Sequence, residues 1–435
     1  MSNGNRLSRR SLFSSAASLA AAPAILGQRN PNGRIGVAMV GVGTRGIYLL
    51  ERAQECPDAE VRIICDLYDS NLKRAAATAV NKKAQLTKDW EKAVSSPDID
   101  AVFIAAPDFW HAQMAVRAAE MKKHVYVEKA LCRTLPEAKA IRKAVRDNKV
   151  VLQLGHHQNS DPYFIKGREI YRSGQLGKVT LVRTYIDRTN PWPEWQFYTA
   201  YNIQQTPGDA TAETIDWKRF IANAPAIPFD VQRFFRWRCW WEYGTGIAGD
   251  LMSHQWDGVN MIVGMGIPEA VQTMGGLHFW KQDREVPDQW HALMEYPKQE
   301  LTVTFACTFH NRHHGTCTFL FGRDATLEVS SNFCRVFGAE WKPDYAAKTA
   351  RARKEAVAQG RDLRDLIIPP DYSLKPGEVK VTSHMADFIQ CARTREMPRC
   401  GVDRAFEEAV ALLMSVEAWR KGRCVLWNAQ KEEIV

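Results

Sequence analysis

Two short stretches carry side chains suited to moving a proton and a hydride. YVEKALCRT sets Glu128 and Lys129 side by side, and GTGIAGDLMSHQWDG sets Asp250 and His254 four residues apart. Residues four apart on a helix share a face, so the carboxylate and imidazole are expected to stand together, with Asp257 continuing that face less closely. A histidine beside a carboxylate accepts a hydroxyl proton as hydride leaves the same carbon, and the carboxylate orients the ring or binds a neighbouring hydroxyl. A lysine holds the substrate oxygen, or serves as acid or base itself. A hydride needs a carrier. VGVGTRGIYLL, from Val40 to Leu50, offers a seat for one, with Gly41, Gly43 and Gly46 in G-x-G-x-x-G spacing.

Those groups need strands and helices to place them. Apolar runs at 35–41, 60–66, 101–107, 124–130 and 150–155, and a short one near 85–87, alternate with helical stretches. Strands and helices alternating in this way predict a doubly wound parallel sheet of six strands, a Rossmann domain over 34–155. The glycine turn then follows a buried strand and opens a helix. Gly41 permits the tight turn, Gly43 the approach of a pyrophosphate, and Gly46 the packing of helix on strand. The helix N-terminus, with Thr44 and Arg45, supplies N–H groups to the phosphates. Asp66 ends the second strand, where a carboxylate accepts from both ribose hydroxyls and repels a 2′-phosphate, which favours NAD over NADP. Arg45, inside the turn, weakens that preference. Pro107 and His111, in APDFWHA after the fourth strand, and Glu128-Lys129, after the fifth, fall at the carboxyl ends where open sheets bind ligands.

Residues 156–435 read as a second, α+β domain with a largely antiparallel open sheet. Strands are expected at 270–280, 289–296, 300–309, 316–322 and 325–331, and helices at 384–420. The span 160–260 reads as helices and Pro- and Trp-rich loops, and 343–380 as a long surface excursion. His157, after the last Rossmann strand, Tyr163, Tyr185 and Trp240 are the candidate substrate contacts. His156, Trp192, Trp195 and Trp241 are further ones, the tryptophans by stacking on sugar faces. His310, His313 and His314 read as one end of a hairpin rather than a metal site, and no metal is expected.

Composition narrows the classes. The chain has 435 residues and a formal charge of +9, without any block of like charge, so nucleic-acid binding is not expected. Ten scattered cysteines form no C-x-x-C, which excludes a zinc ribbon. The N-terminus differs. LSRRSLFSSAASLAAAPAILGQ has a basic head, an apolar run from Leu12 to Leu26 and A-x-A sites at Ala20, Ala22 and Ala24. Residues 1–27 are therefore read as a signal of the twin-arginine type, with Arg9-Arg10 as the pair, directing the protein to the periplasm or otherwise outside the cytoplasm. The twin-arginine export machinery would handle the precursor, and no membrane span is expected in the mature protein.

Together, the glycine turn, Glu-Lys after the fifth strand and the Asp-x-x-x-His helix resemble the Gfo/Idh/MocA family of sugar and polyol oxidoreductases. APDFWHA is similar to that family's T-P-x-x-x-H segment, and GHHQNSDPYF falls where a G-x-Q/N-type segment follows the last Rossmann strand. FFRWRCWWEYGTGIAGDLMSH resembles the branch with twin-arginine signals. The resemblance implies Lys129, Asp250 and His254 as the catalytic set, hydride exchange with NAD, a carbohydrate substrate and a homo-oligomer. Two departures stand out: Ala130 replaces the proline after Lys129, and Ala106 replaces a threonine. Export implies that NAD stays tightly bound and is restored within each cycle. The expected activity is an NAD-dependent sugar or polyol oxidoreductase. The alternative is an NAD-dependent glycosidase that oxidises a ring hydroxyl transiently, with His157, Tyr163 or Tyr185 as an extra acid or base. A non-enzymatic nucleotide-binding sensor is the third reading.

Overall fold

The computed structural model describes residues 33–195, 206–222, 224–363, 366 and 368–435, so the signal read at 1–27 lies outside the described residues. The first lobe runs β1 (Ile35–Val40), α1 (Thr44–Gln54), β2 (Ala59–Cys65), α2 (Asp69–Thr78), β3 (Gln85–Thr87), α3 (Trp90–Ser95), β4 (Ala101–Ile104), α4 (Asp108–Glu120), β5 (His124–Val127), α5 (Leu135–Asn148) and β6 (Leu152–Leu154). The six strands are parallel, in the order β3-β2-β1-β4-β5-β6. Successive β1 residues feed opposite faces. Val37 and Met39 pack with Leu49 and Phe388, while Ala38 and Val40 join the larger core. Strands covered on both faces read as unbroken apolar runs. The helix starts are chemically marked: Thr134 and Glu137 form a capping box on α5, with Pro136 in its first turn. The strand order reverses between β1 and β4, and a crevice opens there at the carboxyl ends.

The second lobe follows as α6 (Pro162–Arg172), β7 (Val179–Asp187), α7 (Trp217–Phe220), α8 (Val231–Phe235), α9 (Ser253–Val263), β8 (Ala270–Gly276), β9 (Gln289–Tyr296), β10 (Leu301–Thr308), β11 (Thr316–Gly322), β12 (Ala325–Ser330), β13 (Phe333–Gly338), α10 (Pro343–Ala358), β14 (Tyr372–Ser373), α11 (His384–Thr394), α12 (Val402–Lys421), β15 (Val425–Asn428) and β16 (Glu433–Ile434). Ten strands form one sheet, β14-β13-β12-β11-β7-β10-β9-β8-β15-β16. It is antiparallel except that β7 and β10 run parallel.

Three readings are corrected here. The span 160–260 is not only helices and loops, because β7 occupies the middle of the sheet. Val182, Thr184 and Ile186 point inward from it, with Arg183 and Tyr185 on the other face. Its neighbours β10 and β11 lie more than a hundred residues downstream, so no local hairpin signal marks it. The excursion at 343–380 contains α10, whose few buried residues are alanines, Ala352 and Ala356. The helical stretch 384–420 is two helices. α11 returns to the first lobe, where Met385, Phe388 and Ile389 pack beneath β1, and Phe388 meets Phe103 with ring centroids 5.3 Å apart.

Candidate active site

The three glycines of the turn serve different needs. Gly41 has φ +82°, and a Cβ there would lie 2.7 Å from the Ala105 carbonyl. A Cβ at Gly46 would sit 1.9 Å from the Gly41 oxygen, so helix and strand could not pack. Gly43 is crowded by nothing in the chain. Its nearest neighbour would be Asn71 Nδ2 at 3.9 Å, and it lines the crevice. It caps α1 without a side chain, and the first turn carries no acidic residue. Open space over uncapped N–H groups fits a phosphate. Asp66 lines the same crevice and accepts from the Val42 amide (2.7 Å), the Tyr68 amide (2.9 Å) and Asn71 Nδ2 (3.1 Å). Burial pushes its carboxyl up, and the two amides push back. The residues present therefore fit a dinucleotide, with phosphates at α1 and a ribose at Asp66.

Arg45 is turned to a different task from the one expected. Its Nε donates to Glu128 Oε1 at 2.7 Å, its guanidinium meets His157 Nε2, and it lies 4.7 Å from the Tyr48 ring centre. Engaged with Glu128, it is not held against Asp66. His157 is pushed down to about 3, by burial first and then by Arg45, and so is neutral at ordinary pH.

A single cleft of about 580 Å³ joins the glycine turn to Lys129 and His254. Lys129 Nζ donates to Asp250 Oδ1 at 2.6 Å and to the Asp250 carbonyl at 2.7 Å. Trp195 Nε1 donates to Asp250 Oδ2 at 2.8 Å, and Arg238 Nε stands 3.3 Å from Oδ1. Burial opposes charge on Asp250, but Lys129, Arg238 and Arg188 outweigh it and hold the carboxyl well below the usual range. Asp250 lies in a π-helical turn, Ala248–Met252, just before α9. Such turns recur at functional sites. Gly249 in that turn lets it approach the first lobe, since a Cβ there would stand 2.9 Å from Ala130 Cβ. The Lys129–Ala130 peptide is cis.

His254 faces the cleft. Burial, then Lys129 and His156, hold its imidazole well below the usual value, so it is a free base. The expected Asp250–His254 pair is replaced by Asp250–Lys129. Asp257 faces away, fully buried, with Arg404 Nε at 3.0 Å and Asn159 Nδ2 at 2.6 Å.

The remaining candidates divide. Gly41, Gly43, Thr44, Arg45, Asp66, Pro107, Glu128 and His157 line the cleft. His111 does not. Its Nδ1 lies 2.6 Å from the Ala130 carbonyl and its Nε2 2.8 Å from that of Ala106, which ties β4 to the Lys129 loop. Tyr163, Tyr185 and Trp240 are not among the lining residues. Tyr163 packs on the core and Trp240 lies under Arg233. Tyr185 stands near His314 on the sheet, its hydroxyl pushed up to about 12 by burial and then by Cys317. Sequence reasoning missed Arg238 and the Trp195–Asp250 bond. Their only local signal was the density of Trp and Arg. Among the described residues, no cluster of His, Cys, Asp or Glu is arranged to hold a metal, and no helix is long and apolar enough to cross a membrane.

A dinucleotide crevice that runs into a Lys–Asp pair and a histidine from a second lobe defines a two-lobe NAD-binding protein. Residues 35–156 match the model described as oxidoreductase family, NAD-binding Rossmann fold, and residues 223–328 match the GFO/IDH/MocA C-terminal domain. The chain belongs to the Gfo/Idh/MocA family. A levoglucosan dehydrogenase of Pseudarthrobacter phenanthrenivorans is 31% identical over 142 residues, 32% of this chain and 36% of that one. The NAD⁺-dependent scyllo-inositol 2-dehydrogenase of Bacillus subtilis is 29% identical over 142 residues, 32% of this chain and 41% of that one. The chain thus spans less than half the length of these curated relatives. In fold it is similar to levoglucosan dehydrogenase in complex with NADH and levoglucosan (TM-score 0.66, 17% identity, 90% of this chain and 99% of that one). It is also similar to the aldose-aldose oxidoreductase of Caulobacter crescentus complexed with glycerol (TM-score 0.64, 17% identity, 90% and 99%).

Proposed function

We propose that the protein exchanges hydride between NAD and a hydroxyl-bearing carbon of a sugar or polyol. The observation that carries the reading is that Lys129, held by Asp250 behind it, and His254 both line the cleft that begins at the glycine turn. The named substrates of the levoglucosan and inositol dehydrogenases support a hydroxyl-rich ligand. When bound, NAD supplies the hydride acceptor or donor.

The chain's own groups handle the proton. Lys129 Nζ has three donors, and Asp250 takes two of them. The third is left to hold the substrate oxygen and stabilise negative charge on it. His254 takes the hydroxyl proton on an unprotonated ring nitrogen. Asp250 does not orient His254. It fixes the direction of Lys129, and is itself held by Trp195 and Arg238.

Export by the twin-arginine route, with NAD tightly bound beforehand, rests on Arg9-Arg10 and the apolar run to Leu26. The test is to release the nucleotide by denaturation, identify it and its redox state, and then follow the reduced-nicotinamide absorbance of intact protein across a panel of sugars and polyols. No redox change with any of them, in either direction, overturns the reading.

A further inference from the structure

We propose that His156 and Glu408 form a buried ion pair that keeps His254 in its proton-accepting form, a positioning role that rests on the function proposed above. The pair lies directly behind the cleft. The His156 and His254 rings meet edge to face, with centroids 5.6 Å apart and planes at 89°. Neither His156 nor Glu408 lines the cleft, so neither touches a ligand there.

His156 Nε2 and Glu408 Oε2 are 2.6 Å apart, and both side chains are fully buried, at 0% exposure. The approach is off the line of a directed hydrogen bond. His156 Nδ1 and Glu408 Oε1 have no other partner among the described residues. Two neutral groups would gain little from such a contact, whereas opposite charges away from water attract strongly. The surroundings balance those charges. Asp257 from α9 and Arg404 from α12 form the adjoining pair, with Arg404 Nη2 2.8 Å from Asp257 Oδ1. Burial pushes the Glu408 carboxyl up and His156 pulls it back. Two cations and two anions leave the buried cluster neutral, while loss of the His156 proton to solvent would leave it with one excess negative charge.

The groups acting on each histidine come from every side. His156 is faced by Glu408 on α12, by Asp257 on α9 and by Lys129 after β5, with Arg404 on α12 held by Asp257. His254 is faced by Lys129, by Asp250 in the π turn, and by His156 and His157 after β6. Burial works against the charge on His156, but Glu408 and Asp257 raise it above the ordinary histidine value. For His254, Asp250 favours a proton. Burial, Lys129 and both neighbouring histidines oppose it. An imidazolium formed there during turnover would stand between cations. It would be a strong acid, suited to returning the proton to a developing alkoxide when the reaction runs toward the alcohol.

The full-length, NAD-loaded protein with ¹⁵N-labelled histidine tests this by NMR, with His254→Asn and His156→Asn assigning the two rings. In the wild type, His156 should stay doubly protonated and His254 neutral from about pH 6 to about pH 8. A neutral His156 at pH near 7 overturns the proposal whether or not Glu408→Gln folds. Glu408→Gln should discharge His156 and raise the His254 midpoint by about one pH unit or more, moving the acid limb of kcat/KM by the same amount. A loss of kcat at every pH with an unmoved His254 midpoint also overturns it, since that is what a packing role alone would give. The titration needs no substrate, so its failure is distinct from a failure to find redox turnover.

Discussion

Gly43→Ala separates ligand space from fold space. The new methyl group meets no protein atom closer than 3.9 Å, and Gly43 has φ −68°, outside the left-handed region that favours glycine. The nucleotide-free protein should keep its stability within about 1 kcal/mol, and a stiffer unfolded chain can raise it by about 0.4–1 kcal/mol. The methyl group does stand over the uncapped start of α1, where phosphate oxygens must come close. Displacing one charge-assisted hydrogen bond costs about 1.5–3 kcal/mol, roughly ten- to a hundredfold in Kd. At NAD one hundred times the wild-type Kd, the wild type gains about 2.7 kcal/mol from ligand, and a variant with Kd a hundredfold weaker gains only about 0.4 kcal/mol. Gly46→Ala is the contrast, because its Cβ falls 1.9 Å from the Gly41 oxygen. It should lose about 1–3 kcal/mol or more without any nucleotide. Denaturant unfolding of stripped protein, with and without NAD, reads both quantities. Full NAD stabilisation in Gly43→Ala, or apo destabilisation equal to that of Gly46→Ala, refutes the reasoning.

Other outcomes follow from the same contacts. Lys129→Met should lower kcat/KM by roughly 10²–10⁴ while NAD remains bound, checked by turnover and nucleotide release. Trp195→Phe removes the donor to Asp250 Oδ2, so kcat should fall by about tenfold or more with little change in NAD affinity, measured by steady-state kinetics and binding. Burial first, then nearby charge, lowers His157 and His384 to about 3 and His124 to about 4. The unfolded chain therefore binds protons that the fold refuses. The stability from these groups is fully present above about pH 6.5 and is lost as pH falls toward the folded values, by up to about 1.4 kcal/mol per pH unit per histidine. His384→Gln should flatten that slope in denaturant titrations. Replacing Arg9 and Arg10 together by lysine should retain the protein in the cytoplasm, read by cell fractionation.

Much of the first lobe was legible because its signals are local. A parallel strand buried on both faces must be apolar throughout, and a tight turn with a helix packed on it must be glycine-rich, as Gly41 and Gly46 are. The second lobe was legible where strands follow one another as neighbours, as β8, β9 and β10 do, and β11 and β12, although β13, which pairs with β12, was not read. β7 escaped notice because both its partners are distant in sequence. In the site, Lys129, Asp250 and His254 could be named from residue type and position. Arg238 could not, since an arginine in an aromatic-rich stretch reads equally as surface.

The sequence by itself determined the dinucleotide lobe, the order of its elements and the residue types at the carboxyl ends of its strands. These depend on periodicity and backbone sterics within a turn or a strand. Tertiary structure alone decided who pairs with whom. Helical spacing assigned Asp250 to His254, but the π turn and the close approach at Gly249 deliver it to Lys129, 121 residues away. Likewise, α12 brings Glu408 to His156 and Arg404 to Asp257, leaving His254 without a carboxylate of its own. Charge pairing in a buried site is set by which surfaces the two lobes press together, and no local pattern carries that information.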